Sequence, residues 1–186
     1  LDRRGALWHA LAQSQESLPL FDQDRARETN QQCDATPREA SPGLPAMSPA
    51  QEVLADYRTA GLSLRAHPLQ FLRPGLDRLS VAPASQLKAL PDGQPVRVAG
   101  IVLVRQRPGT AKGITFVTLE DETGIANLIV RPAVWQRFRQ AALNATVLLA
   151  HGRLQRQGEV IHVLATQLED LSHRLEDLGP QSRDFC

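Results

Sequence analysis

The sequence is poor in the residues that cross-link small domains or hold metals. Two cysteines stand among 186 residues, Cys33 in a polar stretch and Cys186 at the last position. They make neither a disulfide framework nor a metal-ligand spacing, and they fit a reducing compartment. No apolar run approaches the roughly 18 residues of a membrane span, and the start, LDRRGALWHALAQ, is too charged for a signal peptide. The formal net charge is only +1, so nucleic-acid or membrane binding would have to come from local clustering. Aromatics are 4% of the residues, which leaves few platforms for stacking. There is no phosphate-cradling glycine loop, no Cys/His nucleophile pair and no serine in a nucleophile-elbow context. His9, His67, His151, His162 and His173 are scattered without ligand spacing. Nothing reads as an active site, and no residue is assigned a catalytic or metal-binding role.

What is present falls into five segments. In residues 1–13 Leu7 and Leu11 are four apart beside Trp8, with Asp2 as an N-cap, which predicts a short helix. Residues 14–47 are rich in Gln, Asp, Glu, Thr, Ser and Pro, and carry too little apolar surface to offset the entropy of ordering. They read as a disordered linker, broken by one apolar island, QESLPLFDQ, at 15–23. In residues 48–94, Ser48, Pro49 and Gln51 have the form of a capping box. The helix that follows sets Val53, Leu54 and Tyr57 on one side and stops at Gly61. LSLRAHPLQFLRPGL (62–76), interrupted by Pro68 and Pro74, reads as a packed connector rather than a regular element.

Residues 95–170 change to period two and β-branched residues. VRVAGIVLV (96–104), ITFVTLED (114–121) and IANLIV (125–130) are expected strands, the last two joined by a turn at DETG. PAVWQRFRQAAL (132–143) is an expected helix, and TVLLAHGRLQ (146–155) and EVIHVLATQL (159–168) are a final hairpin about Gln157 and Gly158. Residues 171–186 are a tail. Three strands, a helix and two strands is the order of an OB-fold, a five-stranded Greek-key barrel that binds oligonucleotides through a sheet face and its first and last hairpin loops. Gly100, in mid-strand, suits the sharp bend of a closed barrel. The expected class is mainly β with α, the barrel preceded by short helices and the linker.

The barrel has a sign although the chain does not. From Val96 to Leu119, and again from Arg131 to Gly158, every charged residue is basic. Arg105, Arg107 and Lys112 lie in or beside the first loop, and Arg153 and Arg156 flank the last hairpin. In an OB-fold the two sets can line one groove and bind single-stranded or template DNA electrostatically. Phe116, the only aromatic on a strand, is expected to point into the core. The run Glu120, Asp121, Glu122 is expected to be a solvated turn, since adjacent strand positions face opposite sides.

LDRRGALWHAL, LPLF, MSPAQEVLADYRTAGLSLRAHPLQFLR and KGITFVTLEDETGIANLIV together resemble the C-terminal region of the bacterial error-prone DNA polymerases of the C family, relatives of the polymerase III alpha subunit. The resemblance implies a parent DNA-directed DNA polymerase, a nucleotidyltransferase of the bacterial cytoplasm acting in damage-induced mutagenesis and translesion synthesis. Its catalytic aspartates and their divalent metal, magnesium, would lie upstream, with no cofactor in this stretch. A preceding segment is expected, and residues 1–13 would close a helix–hairpin–helix region. The resemblance also implies accessory partners, a RecA-like subunit and an inactive Y-family-like polymerase. Within the island, Gln15, Leu18, Leu20 and Phe21 resemble a sliding-clamp peptide, with a longer spacing and Pro19 in the middle; the island either docks on a clamp or anchors the linker on its own polymerase. Two alternatives remain open, a free-standing single-strand-binding module and a protein-docking platform.

Overall fold

Five runs of alternating apolar residues form five strands, and the strands close on themselves. The structure, a computed structural model, describes residues 5–7, 10 and 46–178. Of the expected first helix, residues 5–7 and 10 are described and are helical. Gln15, Leu18, Leu20 and Phe21 lie outside the described residues, as do Cys33 and Cys186. The chain divides into two units, Leu1–Glu52 and Val53–Cys186.

Helix α1 (Pro49–Ala60) opens with a capping box: Gln51 N–H donates to Ser48 Oγ at 3.3 Å, and Ser48 N–H to Gln51 Oε1 at 3.1 Å. It stops where Gly61 takes φ +73°. The connector departs from expectation, because Pro68–Arg78 is an eleven-residue helix, α2, with Pro74 inside it. Pro68 sits in the first turn, where its missing N–H costs nothing, and His67 Nδ1 accepts from Leu69 N–H at 3.2 Å as the cap. Pro74 forfeits one interior hydrogen bond. The loss is offset by a stripe at helical spacing, Leu69 and Leu76 fully buried and Leu72 partly so. A 3-10 turn over Ala84–Ala89 then leads into the barrel.

The strands are β1 (Pro95–Gln106), β2 (Thr115–Asp121), β3 (Gly124–Val130), β4 (Val147–Gln157) and β5 (Val160–Asp170), closed in the order β1-β2-β3-β5-β4. Only the β3–β5 pairing is parallel. β1 pairs on both sides within the one barrel: its first half with β4 and its second with β2, the change coming at Gly100 and Ile101. A Cβ on Gly100 would meet Glu120 O and Leu119 Cβ at 2.8 Å, so glycine is what lets β1 and β2 approach at the corner. The expected single helix is two, α3 (Pro132–Arg137) and α4 (Arg139–Asn144), joined at Phe138. Trp135 and Ala142, seven apart, both enter the barrel core.

Val147, Leu148, Leu149 and Ala150 are buried in succession because both faces of β4 are covered here. Leu148 and Ala150 fill the barrel, while Val147 and Leu149 join Ala99, Leu69, Leu76 and Leu171 in an outer cluster under α2 and the short α5 (Ser172–Glu176). Helix α2 is thereby part of the packed body of the OB-fold.

Candidate nucleic-acid interface

On β2 the buried positions are Thr115, Val117, Leu119 and Asp121, and the alternate positions face out. Phe116 is one of the latter. It stands half-buried on the outer surface, contrary to the inward assignment, because the opposite phase places Val117 and Leu119 against Ala126, Leu128 and Val130 of β3 inside the barrel. Across the ladder Phe116 pairs with Ile129, Thr118 with Asn127 and Glu120 with Ile125. Thr118 Oγ1 donates to Asn127 Oδ1 at 3.2 Å. On β1 the neighbours of this surface are Val104 and Gln106, opposite Thr118 and Phe116. Away from Glu120, the β1-β2-β3 face is an uncharged strip with one aromatic, Phe116, at the end next to the β1–β2 loop.

The basic residues separate into two kinds. Arg105 Nε donates to Ala142 O at 2.8 Å and its Nη2 to Ala145 O, so it clamps the C-terminal end of α4, where carbonyls are in excess. Burial pulls its pKa down, with Asp170 opposing. Arg156 is held likewise, Nη2 donating to Lys88 O at 2.7 Å and Leu90 O at 3.1 Å, while its N–H donates to Asp92 Oδ1 at 2.8 Å. Both side chains are tied to backbone carbonyls of the fold, Arg105 through two nitrogens and Arg156 through Nη2. Arg107 and Lys112 are exposed, and among the described residues neither has a hydrogen bond or an ion pair. They project from the loop between β1 and β2, where Lys112 (φ +48°) and Gly113 (φ +83°) turn the chain back toward Pro132. Arg153 is exposed and donates to Gly93 O at 3.2 Å. It pairs with Pro95 at the start of β1, whereas Arg107 follows the end of that strand, so the two sets sit at opposite ends of β1 rather than side by side.

The acidic run is not a solvated turn. Asp121, 5% exposed, accepts from Ala84 N–H (2.8 Å), Thr123 N–H (2.7 Å), Thr123 Oγ1 (2.7 Å) and Gly124 N–H (3.0 Å), and pairs with Arg73 Nη2 at 3.2 Å. Arg73 also forks onto Glu122, with Nη2 to Oε2 at 3.0 Å and Nε to Oε1. These bonds tie α2, the 3-10 turn and the β2–β3 turn together. His67 lies edge-on to Tyr57, its Nε2 4.0 Å from Glu120 Oε2. Burial holds its pKa below the usual value against the pull of Glu120, Glu122 and Asp121. Among the described residues no group of three or more His, Cys, Asp or Glu side chains is placed to hold a metal ion. Asp121, committed to four donors and a guanidinium, does not fit a magnesium ligand.

Residues 96–171 match a family model described as an OB-fold nucleic acid binding domain. Over 99% of its length the chain is 48% identical to an error-prone DNA polymerase of Rhodopirellula baltica, of which it covers 15%. It is 44% identical over its full length to error-prone DNA polymerase 2 of Rhizobium meliloti, covering 17% of that protein. A third relative, an error-prone DNA polymerase of Anaeromyxobacter dehalogenans, is 46% identical over 99% of the chain, which covers 15% of it. The chain thus spans well under a fifth of the length of these relatives.

Proposed function

We propose, from the premise that this chain is homologous over its whole length to a segment of the error-prone DNA polymerases, that its barrel holds single-stranded template DNA. The observation that carries the reading is the outward Phe116 on an uncharged strip, with Arg107 and Lys112 unengaged at its edge. A single strand presents unstacked base faces to an aromatic and phosphates to nearby cations, and a barrel surface offering both binds it without reading sequence. Phe116 stacks a base, Asn127 and Thr118 give the edges polar contacts, and Arg107 and Lys112 take phosphates.

In the whole polymerase this strand is the template near an active site built by other segments, where magnesium would supply the metal chemistry. Damage-induced mutagenesis, translesion synthesis and a cytoplasmic location belong to that whole-protein proposal, as do a RecA-like subunit, a Y-family-like subunit and a clamp contact through Gln15, Leu18, Leu20 and Phe21. Among the described residues no helix is long and apolar enough to cross a membrane.

One observation favours a second reading. Leu103, Val104 and Ile125 are 47%, 42% and 56% exposed on β1 and β3, and apolar side chains of this kind also suit a protein partner. Fluorescence anisotropy of a labelled oligonucleotide at low and moderate salt separates the two. Template binding predicts salt-sensitive affinity that weakens in Arg107→Ala/Lys112→Ala and persists in Arg105→Ala. No binding at low salt by the folded chain would leave the protein-docking platform.

A further inference from the structure

Beside the C-terminal half of α2, the outer surface of β1 and β4 opens into a groove of about 1180 Å³. The register pairs Arg97 with His151 and Pro95 with Arg153, so Arg97 and Arg153 are diagonal neighbours on adjacent strands, and both are exposed. Diagonal cross-strand positions lie about 7–8 Å apart, a span that lets two guanidinium groups meet adjacent phosphates of one strand. Each is steadied by a single carbonyl, Arg97 Nη1 on Leu79 O at 2.7 Å and Arg153 Nη1 on Gly93 O at 3.2 Å, which leaves the rest of each donor fork open.

The groove's own carboxylates do not compete for them. Asp77 and Glu122 are both paired with Arg73, at 3.9 Å for Asp77, and among the described residues neither Arg97 nor Arg153 has an ion-pair partner. The remaining polar lining is neutral, including Ser80, Gln86, Gln94 and Thr166, and it contains no Phe, Tyr or Trp. His151 also lines the groove.

We infer that this groove is a second, base-independent site on the barrel, where Arg97 and Arg153 take consecutive phosphodiesters of a nucleic-acid strand. Open arginine forks recognise phosphate in two-point fashion, and the lack of an aromatic leaves bases nothing to stack on. The inference rests on the reading that the barrel's ligand is nucleic acid. It separates Arg153 from Arg107 and Lys112, and it gives Arg97 a ligand.

The test uses the 186-residue chain and three labelled probes of matched length: oligo(dT), an abasic deoxyribose-phosphate oligomer and poly-glutamate. Anisotropy is followed across a salt series for the parent chain, Arg97→Ala/Arg153→Ala, Arg97→Lys/Arg153→Lys and Phe116→Ala, each confirmed folded by its melting curve. The abasic oligomer is expected to bind the parent chain and Phe116→Ala alike. In the double alanine variant its log–log salt slope should fall by about 1.4, two single-strand phosphate contacts at about 0.7 each, with partial rescue by lysine. Abasic binding that is missing, or unchanged in the double alanine variant, overturns the inference. If oligo(dT) binding is at the same time lost in Phe116→Ala, the template reading survives that failure. Abasic binding through Arg97 and Arg153 without any contribution of Phe116 to oligo(dT) would have the reverse meaning. Poly-glutamate bound through the two arginines, with the abasic oligomer unbound, would make the groove a site for acidic protein segments and would also overturn it.

Discussion

Replacing Asp121 with alanine tests whether the buried carboxylate is the hub that ties the connector to the barrel. The substitution removes the acceptor for Ala84 N–H, Thr123 N–H, Thr123 Oγ1 and Gly124 N–H and one of the acidic partners of Arg73. A hydrogen bond to a charged group contributes about 1.5–3 kcal/mol, and breaking a buried ion pair costs about 3–5 kcal/mol. These contributions share one carboxylate and do not add. Glu122 also remains on Arg73, so the expected loss is about 3–5 kcal/mol rather than the sum. Urea unfolding followed by circular dichroism reads it directly: with a slope of about 2 kcal/mol per molar, the midpoint falls by about 2 M. Asp121→Asn, which keeps the shape and one acceptor oxygen, should lose less, about 1–3 kcal/mol. A midpoint for Asp121→Ala within about 0.5 M of the parent, at unchanged slope, corresponds to about 1 kcal/mol and would refute the hub.

Three further outcomes follow from the same contacts. Arg105→Ala should lower stability by about 1.5–3 kcal/mol through the lost clamp on Ala142 O and Ala145 O, whereas Arg107→Ala and Lys112→Ala should stay within about 0.5 kcal/mol; thermal melts distinguish them. Gly100→Ala should cost about 1–3 kcal/mol, because the new Cβ meets the β2 backbone at 2.8 Å; a neutral melt would show that the corner opens freely. The folded state disfavours the His67 proton, so the unfolded chain binds it first, and stability should fall as pH drops below about 6.5 toward the lower folded value while being retained above it. His67→Asn keeps a capping oxygen for Leu69 N–H and should flatten that slope in urea titrations; an equally steep slope would assign it to another group.

The element order and the closure of the barrel were legible because period-two runs, turn signals and a mid-strand glycine all pointed to one architecture. The α2 helix was not, because two prolines outweighed a Leu69, Leu72, Leu76 stripe that was there to be counted. The face taken by Phe116 is ambiguous in the sequence for a different reason: ITFVTLED places an apolar residue on each side of the strand, and only pairing with β3 decides the phase. Asp121 follows from that phase, since inward Val117 and Leu119 carry it into the interior, where burial demands partners. Arg105 and Arg156 looked like surface charges because composition records sign and not the carbonyls within reach. Of the five basic candidates, the two in the first loop that remain unengaged are Arg107 and Lys112, and the partner of Arg97 in the outer groove is Arg153.

The central claim is that the outward aromatic on β2 stacks a base, and oligo(dT) affinity of Phe116→Ala beside Phe116→Trp addresses it most directly. Base–aromatic stacking is worth about 1–3 kcal/mol, so alanine should weaken binding by about 5- to 150-fold, with tryptophan at or above the parent affinity. The half-buried ring should cost far less in stability than the about 3–5 kcal/mol of a core phenylalanine. Unchanged affinity in both variants, or an alanine variant that loses core-sized stability, would contradict the account.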